Sequence, residues 1–243
     1  MTCIAVTQRV DLHPATGERR DALDQRWVAF LRLCGILPLL LPNHAATALD
    51  LLQACRPQGI LLTGGNTLAA LQGDAPERDA LEFALLPWAR ERHIPVLGVC
   101  RGMQVLMSHL GLTLQRVQGH VQPQQNIRIR GNWETVNSFH EFGFQIVDLA
   151  HDQKNSVFPL QTGKETLHVW AWAVDGVIKA IRHPAEPLCG IMWHPERITP
   201  FRHQDVVLFA SVFGSHLQLK HDPVDQRHME NFNKSDRDQS RCM

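Results

Sequence analysis

Cys100 stands between two glycines in Gly98-Val99-Cys100-Arg101-Gly102, and this spacing could support nucleophilic chemistry. The apolar run Ile94-Pro95-Val96-Leu97 before it suits a buried strand. Met103-Gln104-Val105-Leu106-Met107 after it reads as a helix. A nucleophile on a tight strand-to-helix turn needs small residues two positions before and two after it, because larger side chains collide where the backbone doubles back. The start of the following helix would also lower the thiol pKa. Spacing alone leaves a second reading open, a small buried cysteine between two packing glycines.

A thiol nucleophile needs a base, and the base needs an orienting group. Trp193-His194-Pro195-Glu196-Arg197, at the end of an apolar run, offers both types. In extended backbone His194 and Glu196 would point the same way, with Pro195 stiffening the link. Taken alone, this segment reads rather as a solvent-facing loop. Gly64-Gly65 follows another buried run, where backbone N–H groups could approach a substrate carbonyl; Gly65 and Arg101, the residue after the nucleophile, would be the two oxyanion donors. The other reading is an ordinary pair of loop glycines. Val136-Asn137-Ser138-Phe139-His140 is a third polar group at a strand end, or else a satisfied one.

Strands and helices must bring these groups together. Residues 3–10 read as a strand, and Thr16-Gly17-Glu18 as a loop. A helix is predicted from Asp21, with Leu23, Trp27, Phe30, Leu31 and Cys34 on one stripe and Gly35 at its end. Ile36 to Pro42 is a second strand whose prolines suggest an edge, and Ala46 to Cys55 a helix. Gly59 to Thr63 is a continuous apolar strand, and Pro76 opens a helix kinked at Pro87. Four strands interleaved with helices in the first 111 residues predict βαβ units and a mostly parallel sheet flanked by helices. In such sheets functional groups gather at the carboxyl ends of the strands, where Thr7-Gln8-Arg9, Gly64-Gly65 and Cys100 lie.

After Gly111 shorter alternating strands follow, at Thr113–Val117, Ile127–Arg130, Thr135–Phe139 and Phe144–Val147. A hairpin joins Leu167–Val174 to Val177–Ile181, with Asp175-Gly176 as a turn of the primed type. Leu188 to Trp193 returns to an apolar strand, and His203 to Leu219 is a last amphipathic helix. This antiparallel section completes one α/β domain over residues 1–220. Residues 221–243 are polar and charged, the composition of a disordered tail.

Composition narrows the functions. Lys+Arg and Asp+Glu number 24 each, so no electrostatic case arises for nucleic acid or a membrane surface as partner. The first residues lack a basic region followed by an apolar one, so no signal peptide is expected, and no apolar run is long enough to cross a bilayer. The six cysteines fall singly, without a C-x-x-C pair. That pattern points to a reducing compartment and a cytoplasmic location, and away from disulfides or a thiolate zinc site. The 14 histidines form no H-E-x-x-H cluster.

Thr63-Gly64-Gly65, Arg78-Asp79-x-x-Glu82, the Gly98 to Gln104 elbow, Val136 to His140 and His194-Pro195-Glu196 together resemble class I glutamine amidotransferase domains over roughly residues 3 to 217. Within that superfamily they are similar to the γ-glutamyl hydrolases of the peptidase C26 branch. The resemblance implies a flavodoxin-like glutamine amidotransferase fold with an added antiparallel section. It also implies a Cys100–His194–Glu196 triad acting through a γ-glutamyl thioester and releasing glutamate, without metal or organic cofactor. Gly64, Gln104, Asn137, Ser138, Phe139 and His140 are the implied glutamyl-binding positions. The leaving amine is left open. Asn66-Thr67-Leu68 departs from the pattern of γ-glutamyl-γ-aminobutyrate hydrolases, whereas the N-terminal segment is similar to hydrolases of bacterial surface-polysaccharide loci. Arg9, Arg19, Arg20 and Arg26 beside Trp27 could there receive a phosphate and a base, although Trp27 reads rather as a core residue at a solvated helix start. The expected partner is a small γ-glutamyl substrate, with a second copy of the chain or a synthase left open. Alternatives are a glutaminase subunit delivering ammonia to such a synthase, and a non-catalytic protein that keeps the fold.

Overall fold

The computed structural model describes residues 1–146, 156–163 and 165–215. In chain order its elements are β1 (Thr2–Val6), β2 (Arg9–Leu12), β3 (Arg19–Ala22), α1 (Arg26–Leu33), β4 (Ile36–Leu40), α2 (Ala45–Cys55) and β5 (Ile60–Leu62). Then come α3 (Pro76–Glu91), β6 (Val96–Val99), α4 (Arg101–His109), β7 (Gln115–Arg116), β8 (Val121–Ile129), β9 (Asn132–Phe139) and β10 (Phe142–Gly143). The last are β11 (Phe158–Thr162), β12 (Glu165–Ala173), β13 (Ile178–Arg182), β14 (Leu188–Ile191) and α5 (His203–Phe213).

A ten-stranded sheet runs in the order β4-β1-β5-β6-β14-β13-β12-β8-β9, with β11 also paired to β12. The first five strands of that order are mutually parallel, and from β13 onward the pairing is antiparallel. The expected mostly parallel sheet with an antiparallel addition is thus present. Strand β4, carrying Pro38, is at the edge, where a missing N–H costs no ladder bond. Strand β6 is central and buried along its whole length, as a sheet covered on both faces requires. Leu52, Leu81, Leu85, Met103 and Leu106 from α2, α3 and α4 fill the core on one face. Trp27, Phe30, Leu31, Phe209 and Phe213 from α1 and α5 fill it on the other.

Several boundaries differ from the sequence expectations. Residues 3–10 are not one strand: β1 stops at Val6, and Arg9–Leu12 pairs with Arg19–Ala22 as a hairpin. The first helix therefore starts at Arg26 rather than Asp21. The Asp21 carboxylate accepts from the backbone N–H and side-chain amide of Asn43 at 3.0 and 2.7 Å, while Asp24 accepts the Arg26 N–H at 3.0 Å. The turn after β12 is not of the primed type. Only Gly176 of the three loop residues has positive φ, with its N–H on the Ala173 carbonyl at 3.0 Å; that is the pattern of a three-residue loop with a left-handed glycine. The strand placed at Phe144–Val147 lies earlier, at Phe142–Gly143, with Gln145 bridging Val177; Val147 falls outside the described residues. Helix α5 ends at Phe213 because Gly214 takes a left-handed cap, and residues 216–243, tail included, are outside the described residues.

Candidate active site

The elbow is built by steric exclusion. A Cβ on Gly98 would lie 2.5 Å from the Gly102 backbone, and one on Gly102 would lie 2.1 Å from the Leu62 carbonyl oxygen. Both distances are far inside van der Waals contact, so the first turn of α4 can sit on β5 and β6 only with glycine at both places. The reversal puts Cys100 itself at φ 52°, ψ −105°, a strained conformation for a residue with a side chain. Its thiol stands at the start of α4, where the first-turn N–H groups, that of Arg101 among them, have no intrahelical acceptor.

His194 and Glu196 meet by a different route from the one expected. Pro195–Arg197 is a turn of 3₁₀-helix rather than extended chain, and it swings the Glu196 carboxylate back under the imidazole. Nδ1 of His194 donates to Oε1 of Glu196 at 2.7 Å, which fixes the tautomer and leaves Nε2 for the thiol. Cys100, His194 and Glu196 are each almost wholly buried. Burial pushes the Cys100 thiol up, but the neighbouring His194 imidazolium and its hydrogen bond pull it below the ordinary cysteine value. Burial opposes charge on His194 too, yet the Cys100 thiolate and the Glu196 carboxylate raise it to about 9. The pair therefore favours thiolate and imidazolium.

The Gly64-Gly65 loop is held from behind by Arg78. This guanidinium, fully buried on α3, donates to the carbonyl oxygens of Thr63 at 2.7 Å, Gly64 at 2.9 Å and Gly65 at 2.7 Å, and to Oε1 of Glu82 at 2.9 Å. In a planar trans peptide the N–H points opposite the carbonyl, so fixing the Gly64 carbonyl toward α3 turns the Gly65 N–H away from it. Glu82 also bonds the Thr7 hydroxyl and the Arg101 guanidinium, and Arg101 reaches Asp79. The Arg101 side chain thus points into this network, leaving only its backbone N–H for a substrate. The Arg78-Asp79-x-x-Glu82 motif was legible in sequence, but not this task for it.

The remaining expected residues divide between two surfaces. Asn137 pairs its side-chain amide with the backbone of His194, accepting from the N–H at 2.7 Å and donating to the carbonyl at 2.8 Å. Phe139 turns its carbonyl oxygen toward the Cys100 Sγ at 3.9 Å and its ring toward His194. Gln104 donates to the Phe142 carbonyl at 2.8 Å. Ser138 and His140 are buried against Lys179. On the other side of Gly64-Gly65 lies a cleft of about 210 Å³, lined by Arg9, Asp11, Asp24, Trp27, Glu196 and Arg197 among others. Of the expected basic cluster, Arg9 alone lines it. Arg19 bonds Glu77, Arg20 bonds Glu18, and Arg26 forks the Asp24 carboxylate at 2.9 to 3.2 Å. Trp27 reaches the cleft only as the edge of a core residue packed on Phe30 and Phe209.

Among the described residues no group of three or more His, Cys, Asp or Glu side chains could hold a metal ion, and no helix is long and apolar enough to cross a membrane. Comparison with known proteins finds the Peptidase C26 family model matching residues 2–196. A relative from Mycobacterium tuberculosis whose name assigns it to the glutamine amidotransferases is 32% identical over 172 residues, 64% of this chain, which spans about half (54%) of that relative's length. The γ-glutamyl-CDP-amidate hydrolase of Campylobacter jejuni is 25% identical over 80% of this chain and 90% of its own. The γ-glutamyl-γ-aminobutyrate hydrolase of Escherichia coli O157:H7 is 28% identical over 74% and 80%. Among solved structures, the glutaminase domain of Trypanosoma brucei CTPS superposes with a TM-score of 0.62 at 13% identity, covering 91% of this chain and 98% of that one, a likeness of fold.

Proposed function

Because the chain belongs to the Peptidase C26 family, we propose that it is a cysteine-dependent hydrolase of γ-glutamyl amides. The observation that carries this reading is the buried Cys100–His194 pair with Glu196 at 2.7 Å from Nδ1. The Cys100 thiolate attacks the γ-carbonyl, and the resulting oxyanion is received by the N–H groups of Gly65 and Arg101. His194, as imidazolium, gives its Nε2 proton to the leaving amine while Glu196 holds the ring in place. The γ-glutamyl thioester left on Cys100 is then cleaved by water, from which His194 takes a proton, and glutamate departs. The glutamyl half occupies the Gln104 and Phe139 side of the thiol, where Asn137 acts by holding His194, while Ser138 and His140 face Lys179 and not the substrate.

The leaving amine crosses Gly64-Gly65 into the cleft, where Arg9, paired with Asp11 at 2.6 Å, and Arg197 are the two groups that would receive a negative charge on it, beside the carboxylates of Asp24 and Glu196. A γ-glutamyl nucleotide amidate, the substrate in the name of the Campylobacter relative, carries such a charge; with the resemblance of the N-terminal segment it would tie the chain to surface-polysaccharide synthesis. The modest size of the cleft, about 210 Å³ against the ~300 Å³ and upward of drug-sized sites, favours a shorter anion such as γ-aminobutyrate as the second reading. The test is a glutamate-release screen over γ-glutamyl-CDP-amidate, γ-glutamyl-γ-aminobutyrate, γ-glutamylputrescine and glutamine, with Cys100→Ala as blank. Release from the two anionic amides above the cationic one supports the reading. Cleavage of glutamine alone, and only with a synthase present, would replace it with the glutaminase-subunit alternative.

A further inference from the structure

Lys179 is fully buried in Ile178-Lys179-Ala180-Ile181, an otherwise apolar stretch of β13. It takes no part in the proposed chemistry. Its Nζ donates to Ser138 Oγ at 2.9 Å and to His140 Nε2 at 2.7 Å. Each acceptor has its other valence committed. Ser138 gives its hydroxyl proton to the His120 carbonyl at 2.8 Å. His140 Nδ1 faces the Phe142 carbonyl at 2.9 Å, so it carries the proton and leaves Nε2 bare. Two acceptors therefore converge on one amine. A neutral –NH2 has two N–H donors, enough for both, so the lysine need not be buried as a cation. Burial is the main influence lowering its pKa, to about 7.

The consequence follows from strand alternation. In Asn137-Ser138-Phe139-His140, side chains alternate between two faces. Asn137 clamps the His194 backbone and Phe139 lies against His194 and the thiol, whereas Ser138 and His140 turn to Lys179. Strand β9 is separated from β13 in the sheet by β12 and β8, so no ladder joins them directly. Lys179 is a side-chain tie across that gap, fastening the far end of the antiparallel section to the strand beside β14. The geometry points to Lys179 as a positioning residue that, through Ser138 and His140, sets the Asn137–Phe139 segment against the Cys100–His194 pair. The inference rests on the hydrolase reading above for its kinetic consequence, and not for its effect on the thiol.

The test is Lys179→Met, which keeps the length and removes the donors. Two quantities are measured on the folded variant: kcat and KM for the preferred γ-glutamyl amide, and the pH dependence of Cys100 alkylation by iodoacetamide, read on the Cys100 peptide by mass spectrometry. A displacement of His194 of about 1 Å would lower kcat by about ten- to a hundred-fold with KM little changed. The apparent thiol pKa of Cys100 should rise. Unchanged alkylation, with kcat within about two-fold of wild type or lost only in step with folded fraction, would overturn the proposal. If Lys179→Met does not fold, the triple variant with Ser138→Ala and His140→Phe, which leaves neither buried acceptor unpaired, takes its place under the same criteria; failure of both to fold would make Lys179 a folding residue and overturn the proposal. Should wild type release glutamate from no γ-glutamyl amide, the hydrolase reading fails, and the alkylation profile still decides the role of Lys179.

Discussion

Gly64→Ala adds one methyl group at the centre of the site. Its Cβ would stand 2.6 Å from His194 Cε1, 3.4 Å from Nδ1 and 3.5 Å from the Cys100 Cβ. Gly64 is not among the positive-φ residues, so alanine meets no backbone penalty and the effect is one of contact. The imidazole cannot swing aside freely, since Asn137 holds its backbone at 2.7 and 2.8 Å and Glu196 its Nδ1 at 2.7 Å. Restoring ordinary contact requires the ring to retreat by about 0.8 Å from Gly64. A misplacement near 1 Å costs roughly a hundred-fold in rate, about 2.7 kcal/mol of transition-state stabilisation. The expected result is kcat/KM lowered by about thirty- to a hundred-fold in protein whose circular dichroism is that of wild type. The assay is glutamate release under subsaturating substrate, normalised to folded protein by thermal melt. A variant within about three-fold of wild type would refute the placement of His194 against this glycine.

The pH–rate profile of kcat/KM should be bell-shaped. Its acid limb lies below the ordinary cysteine value, as the Cys100 thiolate is protonated, and its alkaline limb lies near 9, where His194 loses its proton. Glu196→Gln removes a charge that raises His194, so the alkaline limb should move to lower pH; a limb that stays in place would mean that Glu196 does not act on His194. Asp205 is buried under Trp193, whose Nε1 donates to it at 3.0 Å, and burial is the main influence raising its pKa to about 6. A carboxyl whose folded pKa lies above its unfolded value adds stability below the unfolded value, near 4, and loses it as pH rises through about 6. Asp205→Asn should therefore flatten the decline in Tm between pH 4 and pH 8, worth at most about 3 kcal/mol. Parallel melting curves for variant and wild type across that range would contradict it.

The elbow could be read in sequence because Gly98, Cys100 and Gly102 are separated by two positions each and the clash that excludes a side chain at Gly98 is with Gly102 itself; the clash at Gly102, against Leu62 on β5, could not be read that way. The parallel half was equally open, since apolar runs such as Ile60-Leu61-Leu62 have few fates other than a buried strand. The β2–β3 hairpin was not, because six of its eight residues are exposed and carry no apolar period. Arg26 illustrates a further gap. Grouped with other arginines it suggested an anion site, but Asp24, two residues earlier, is the closer partner. Asn137 was singled out as a glutamyl-binding position, yet its side-chain amide is paired with the backbone of His194, 57 residues away. Contacts of that range follow from the path of the sheet. Lys179 carried one faint signal, a charged residue inside an apolar strand.

In the proposed reaction Cys100 carries the γ-glutamyl group during turnover. Acid quenching of the protein during hydrolysis of its preferred γ-glutamyl amide, followed by peptide mass mapping, measures this most directly. A mass increase of one glutamyl group is expected on the Cys100 peptide, absent from Cys100→Ser and lost on neutral incubation. A glutamyl adduct on another residue, or undiminished glutamate release by Cys100→Ala, would contradict it.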